Sequence, residues 1–283
     1  MVIARAIVRD LYEGREAGQQ LARMGTIMGI VPAIAPVLGA ALEVTLGWRA
    51  NFLGVVLLVI GLTFTVILRL PETLRTPLAA PFSLKEIVKG YHALIRDPRF
   101  TPFAWLSAMT YAGLFAFISG SSFVIQGHFG LGPTAFAIAF GVMVLGYILG
   151  TLVAQKVVVR RGSLKAIEIG VWLQAAGGLV MLVCSIVIPQ ALAGLAVPMA
   201  IYAMGVGFTL PQSAAGALMP FPEKAGSVSS LLGILQMGFA ALIGVIVGAF
   251  VARTPVALTG MTALMGLLSC LAIPRIRRTN PFS

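Results

Sequence analysis

The feature that most constrains this chain is the recurrence of apolar runs about twenty residues long, separated by short polar links. A run of that length crosses the hydrocarbon core of a bilayer as one α-helix, because in lipid every backbone donor must be satisfied within the segment. Eight such runs are read, at 24–46, 51–70, 101–126, 133–155, 166–188, 191–218, 226–252 and 255–273. The expected fold class is an all-α integral membrane protein with eight full transmembrane helices in this chain. Composition agrees, since only 10% of the residues are charged and mean hydropathy is +0.99, whereas a soluble domain carries about 25% charged residues.

A net charge of +11 raises the question of nucleic acid, and the placement of the charges answers it. They fall in short clusters between apolar runs, with no basic face interleaved with aromatics to track phosphates. If residues 1–23 are cytoplasmic, strict alternation puts 18 of the 20 Lys and Arg on that side, leaving only Arg49 and Arg253 outside. That is the positive-inside pattern, and it predicts that both chain ends are cytoplasmic. The expected partner is the lipid bilayer and not nucleic acid. Between 71 and 100, Lys85, Lys89, Arg96 and Arg99 accompany Leu84, Ile87, Val88, Tyr91 and Leu94 at helical spacing, which predicts a short amphipathic helix on the membrane surface.

Catalytic motifs are absent: there is no P-loop, HExxH or GxSxG, and His92 and His128 are assigned to loops. Cys184 and Cys270 lie in apolar runs without metal-ligand spacing, so they read as small buried hydrophobes. The chain is not expected to be an enzyme, nor to hold a metal or cofactor. Glu168 lies about one turn inside its span and is expected to snorkel or pair with Arg160, Arg161 or Lys165. The other polar groups at depth are neutral, among them Ser119, Ser121, Ser122, Gln126, Gln174, Tyr202, Gln212 and Gln236. Helix-to-helix hydrogen bonds account for most of them, and a minority would line a cavity.

Glycine and proline are concentrated in three spans. The stretch 25–42 contains Gly25, Gly29, Pro32, Pro36 and Gly39, a helix built to bend and to be approached closely. Pro198, Gly205, Gly207 and Pro211 are read as interrupting another span, and Gly233, Gly238, Gly244 and Gly248 run along a third. The first and third of these lie six spans apart, which fits parallel six-helix repeats.

These stretches resemble the major facilitator superfamily, and within it the Bcr/CflA group of drug:proton antiporters. The helix at 25–42 is similar to the antiporter motif of the family's fifth helix, matched at Pro36 and Gly39, with Ala35 and Ala40 where glycine is usual. ARAIVRDLY at 4–12 resembles the close of the fourth helix, and LPETL at 70–74 the exit from the sixth. FISGSSFVIQGHFGLGP at 117–133 and PEKAGSVSSLLGILQ at 222–236 resemble the seventh segment and the tenth-to-eleventh segments. GTLVAQKVVVRRG at 150–162 looks like a second-half copy of the signature loop, matched at Arg160, Arg161 and Gly162 but lacking its usual acid.

The resemblance implies a major facilitator fold that is incomplete here, beginning at the end of the fourth helix. Residues 1–70 would be the remnant of the first half, 71–100 the central cytoplasmic loop, and 101–283 the six-helix second half with a basic tail. It implies proton-coupled efflux of small amphipathic drugs by alternating access, in a bacterial inner membrane, with protons as the coupling ion. Phe117, Ser121, Gln126, Tyr202 and Gln212 are the candidate cavity residues. The alternatives are a truncated membrane fragment that does not transport, and an exporter of a cell metabolite on the same fold.

Overall fold

The computed structural model describes residues 45–70, 84–221, 224–251 and 254–279, with isolated positions between 7 and 42. The chain forms two compact units, 1–83 and 84–283. In the first, helix α1 (Trp48–Arg69) starts at Gly47, whose backbone is in the left-handed region at φ 81°. None of its side chains is buried. An interfacial Trp48 carries the Arg49 guanidinium over its ring at 4.5 Å, a pairing suited to a helix end at the membrane boundary.

The second unit holds α2 (Leu84–Arg96), α3 (Thr101–Ser122) prolonged by a π-helical turn (Phe123–His128), and α4 (Pro133–Val187). It continues with α5 (Leu192–Leu218), α6 (Ala225–Val251), α7 (Val256–Cys270) and α8 (Ile273–Thr279). Helix α4 has 55 residues and would be about 80 Å long if straight, more than twice the thickness of a hydrocarbon core. It is broken at Gly162, where φ 81° and ψ 165° are open only to glycine, into a leading limb (133–161) and a trailing limb (163–187). With that break counted, every expected span has a helix except the first, 24–46, which lies mostly outside the described residues.

Both limbs of α4 pack on α5, and glycine sets how closely. On the leading limb a methyl group at Gly146 would strike the Ala200 carbonyl, and one at Gly150 the Met204 carbonyl, so this limb runs parallel to α5. On the trailing limb Gly170 faces Gly205 and Phe208 while Gly177 faces Pro198 and Tyr202, so that limb runs antiparallel. Gly205 and Gly207 return the contact, onto Gln174 and onto Tyr147 and Thr151. Helix α5 itself is continuous through Pro198 and Pro211, which corrects the expectation of an interrupted span.

One end of the unit gathers its described basic residues and a core cluster. Leu94 of α2, Phe100 just before α3, Phe103 and Leu106 of α3, Ile167 of α4, Val228 and Leu231 of α6 and Ile276 of α8 are buried together. Tyr91 of α2 also hydrogen-bonds Ser230 of α6 at 2.8 Å. The amphipathic helix is thus docked on the bundle end by one edge, while Leu84, Val88 and Ile95 remain exposed on the other. At the turn into α3, Asp97 accepts from the Arg99 backbone N–H and guanidinium, and these bonds hold its carboxyl below the ordinary aspartate value.

Two expectations are corrected in detail. Residues 156–165 are helical apart from the Gly162 break, not an open loop. His128 ends the π-helical turn, where its Nε2 meets the Val251 carbonyl at 2.7 Å and ties α3 to the end of α6.

These contacts separate glycines that look alike in the sequence. Gly150→Ala is expected to destabilise by about 1–3 kcal/mol, because the Met204 backbone must move. Gly141→Ala on the same limb, with no described atom within 4 Å, should stay within about 1 kcal/mol of the parent or gain on it. Unfolding midpoints in detergent measure both, and equal effects would remove the packing argument. Gly162→Ala should cost about 1–3 kcal/mol through backbone strain alone, since no described atom crowds that site; an unchanged midpoint would count against it.

Candidate functional site

Three helices of the second unit meet at depth through neutral polar side chains. Thr110 Oγ1 of α3 donates to Gln174 Oε1 of α4 at 3.2 Å, and Gln174 Nε2 donates to Thr209 Oγ1 of α5 at 2.6 Å. Thr209 Oγ1 lies 3.4 Å from Thr110 Oγ1 and also donates to the Gly205 carbonyl. All three residues are fully buried. A Gln stands out in an apolar run, but threonine is unremarkable in any helix, so Thr110 and Thr209 leave no signal in the sequence. Gln236 of α6 bonds Ser107 of α3, and Ser185 of α4 bonds Thr259 of α7 at 2.9 Å, adding further side-chain links between spans.

The cavity candidates divide into two sets. Phe117 and Ser121 lie on one stripe of α3 with Gly113, at i, i+4 spacing, and both are fully buried within the unit. Tyr202 of α5 is also fully buried, and its hydroxyl sits against Gly113 so closely that any side chain there would collide with it. Gln126 and Gln212 are not brought to that level. Gly113 faces Tyr202 while Gly216 faces Phe103, so α3 and α5 are antiparallel. Gln126 therefore lies towards one end of the unit and Gln212 towards the other, separated by about 30 Å along the helix axes at 1.5 Å per residue. Gln126 is exposed on the π-helical turn and donates to Ser122 Oγ at 2.8 Å, and Gln212 is half-buried.

Among the described residues, the Tyr202 and Ser121 hydroxyls are the buried side-chain polar atoms with no hydrogen-bond partner. Each costs about 1–3 kcal/mol relative to a satisfied group.

The ionised groups are held at the basic end. Glu168 is buried, and accepts from Lys165 Nζ at 3.0 Å and from Arg277 Nε at 2.8 Å. Lys165 was an expected partner; Arg277, on α8, is one that only the tertiary structure supplies, and it takes the place expected of Arg160 or Arg161, which are exposed. This pairing fixes the start of the trailing limb of α4 to the end of the last span. Arg160, Arg161 and Gly162 occupy the turn between the limbs of α4, where Gly162 makes the break.

Of the antiporter-like helix, Gly25, Gly29, Pro32 and Pro36 lie outside the described residues. Gly39 is in helical backbone and half-buried, with the Asn51 side chain 3.8 Å from where a methyl group would sit, so there is room for one.

Because its hydroxyl is unpartnered, Tyr202→Phe is expected to leave stability unchanged or raise it by about 1 kcal/mol. Gln174→Leu should lower it by about 1–3 kcal/mol by stranding the buried threonines. Thermal unfolding of both variants in one detergent checks the pair, and a reversed order would show that Tyr202 is bonded and Gln174 is not.

The model of the Major Facilitator Superfamily matches residues 1–245. The chain is 31% identical to the MFS-type transporter YdgK of Bacillus subtilis, over 88% of this chain and 62% of the relative. It is 27% identical to a chloramphenicol resistance protein of Pseudomonas aeruginosa, over 96% of this chain and 65% of the relative. To the multidrug resistance protein D of Escherichia coli it is 29% identical, over 83% and 58% respectively. The chain thus spans less than two thirds of the length of these relatives. With its apolar helices of spanning length and a family model covering most of its residues, this multi-pass membrane protein belongs to the Major Facilitator Superfamily.

Proposed function

We propose that the protein exports small amphipathic drugs in exchange for protons, by alternating access, in a bacterial inner membrane with both chain ends cytoplasmic. Relatives named for chloramphenicol, bicyclomycin and multidrug resistance support the cargo class. The clustering of Lys and Arg between alternate spans supports the orientation. The observation that carries the reading is the contrast between the inside and one surface of the second unit. Inside, glycine contacts and the Thr110–Gln174–Thr209 network lock the spans together. Along α6, Gly233, Gly238 and Gly248 have no described atom within 4 Å. Beside them Ile234, Met237 and Val245 are exposed, and a unit that rocks as a rigid body needs this combination of a locked interior and an apolar face left unpacked.

In this reading Gln126 and Gln212 present polar groups towards opposite openings of the transport path, while Tyr202 and Ser121 offer hydroxyls between those levels. Neutral groups of this kind suit cargo of varied structure, which is recognised mainly by apolar contact. Gly25, Gly29, Pro32, Pro36 and Gly39 would form the bending helix of the first half. No step calls for covalent chemistry, and the protein acts as a transporter and not as an enzyme.

The test is proton movement in proteoliposomes carrying the protein, followed with an entrapped pH dye. Chloramphenicol or an amphipathic dye added to the vesicles should release protons in the opposite direction to the drug. Drug-independent proton traces would remove the reading, and proton movement driven by a small metabolite but by no drug would replace the cargo. Gly238→Leu, on the open face of α6, should leave folded yield unchanged and reduce drug-driven proton flux severalfold; full flux in that variant would show that the face does not move against a partner.

A further inference from the structure

At the basic end of the second unit, the junction of α7 and α8 leaves a cleft that the transport reading does not use. It is lined by Trp105, Leu271, Pro274, Arg275 and Arg278, and its volume of about 400 Å³ is open to the outside. The floor is α3, held in place by Trp105. Its indole Nε1 donates to the Leu268 carbonyl at 2.9 Å, and its ring meets Phe239 of α6 edge-on at 6.2 Å. The tryptophan is therefore fixed between α6 and α7, with its ring at the cleft.

Arg275 and Arg278 stand at i, i+3 spacing on α8, so they project from one face. Among the described residues neither has an acidic partner, whereas Arg277 is committed to Glu168 and Arg99 to Asp97. Leu271, 58% exposed, gives the cleft an apolar wall. Depth completes the pattern. Tryptophan and cationic side chains both favour the headgroup level of a bilayer, and Trp105 lines the same cleft as Arg275 and Arg278. The cleft thus sets two guanidinium groups, without an acidic partner among the described residues, beside an apolar wall and an aromatic floor.

We propose that this cleft binds one anionic phospholipid. Arg275 and Arg278 would take the headgroup phosphate in charge-assisted hydrogen bonds, and the acyl chain would lie along Leu271 and Trp105. A zwitterionic lipid presents the same phosphate but offsets it with its own cation, so the site selects for net negative headgroups. The inference rests on the membrane placement of the spans and not on any cargo, so it stands or falls independently of transport.

Native mass spectrometry of the whole protein in mild detergent tests it, with phosphatidylglycerol, phosphatidylcholine or inorganic phosphate added in parallel. The expected result is one retained phosphatidylglycerol, little phosphatidylcholine and no phosphate adduct. Arg275→Gln with Arg278→Gln should weaken phosphatidylglycerol about thirtyfold, and Arg278→Gln alone about fivefold, at the usual strength of one basic side chain at an anionic surface. The single variant alters an exposed side chain without a partner among the described residues, so it keeps the test open if the double variant does not fold. Arg160→Gln with Arg161→Gln, which removes an equal charge elsewhere at the same end, should retain the lipid. Equal retention of phosphatidylcholine, equal loss in both double variants, or binding of inorganic phosphate without lipid would each overturn the proposal.

Discussion

Within a bilayer an apolar side chain gains nothing by exchanging lipid for a neighbouring helix, so cohesion between spans depends on how near their backbones can come. In this protein that constraint is met around α5. Gly146 and Gly150 admit its backbone to one limb of α4, and Gly170 and Gly177 admit it to the other. The arrangement requires α4 to reverse between the limbs, and Gly162, in a conformation closed to other residues, provides the reversal in a single position. Hinge and contacts belong together: without the break at Gly162, the second set of glycines would never reach α5.

The polar residues are sorted by charge. Neutral groups bridge spans at depth, through Thr110, Gln174 and Thr209, where each donor finds an acceptor and no ionised group has to be desolvated. Ionised groups are kept to the basic end, where Glu168 is enclosed by Lys165 and Arg277 while those partners stay half in water. The result is a unit whose interior is fixed by short backbone approaches and whose end is fastened by ion pairs. The glycine-bearing side of α6 and the arginine cleft beside α8 lie at its margins, while the Tyr202 and Ser121 hydroxyls are left unpartnered inside.

Much of the architecture was legible from residue order. The spans were readable because an apolar run of sufficient length has a single stable form in lipid. The turn after Arg160 and Arg161 was readable as well, but its extent was not. Charged residues from Lys156 to Lys165 look like a loop, yet outside the hydrocarbon they are compatible with helix, and only Gly162 departs from it. Pro198 and Pro211 look like breaks, yet α5 passes through both, as helices packed among others in a bilayer can. The site was less legible still. Phe117, Ser121, Gln126, Tyr202 and Gln212 share polarity or aromaticity, but those properties carry no information about which way a helix is rotated or at what level two helices meet. The antiparallel pairing of α3 with α5 buries three of these residues and leaves Gln126 and Gln212 near opposite ends.

What the sequence by itself determined is the membrane class, the lengths of the spans and the distribution of basic residues between them. Each of these follows from a local rule: hydrocarbon thickness, internal satisfaction of the backbone, and the preference of cationic side chains for one aqueous side. What only the tertiary structure decided is which glycine is a contact and which is bare, which threonines join Gln174, and that Glu168 reaches Arg277 across the bundle. Those outcomes depend on the azimuth and level at which one helix meets another, quantities set jointly by two distant segments and so present in neither alone.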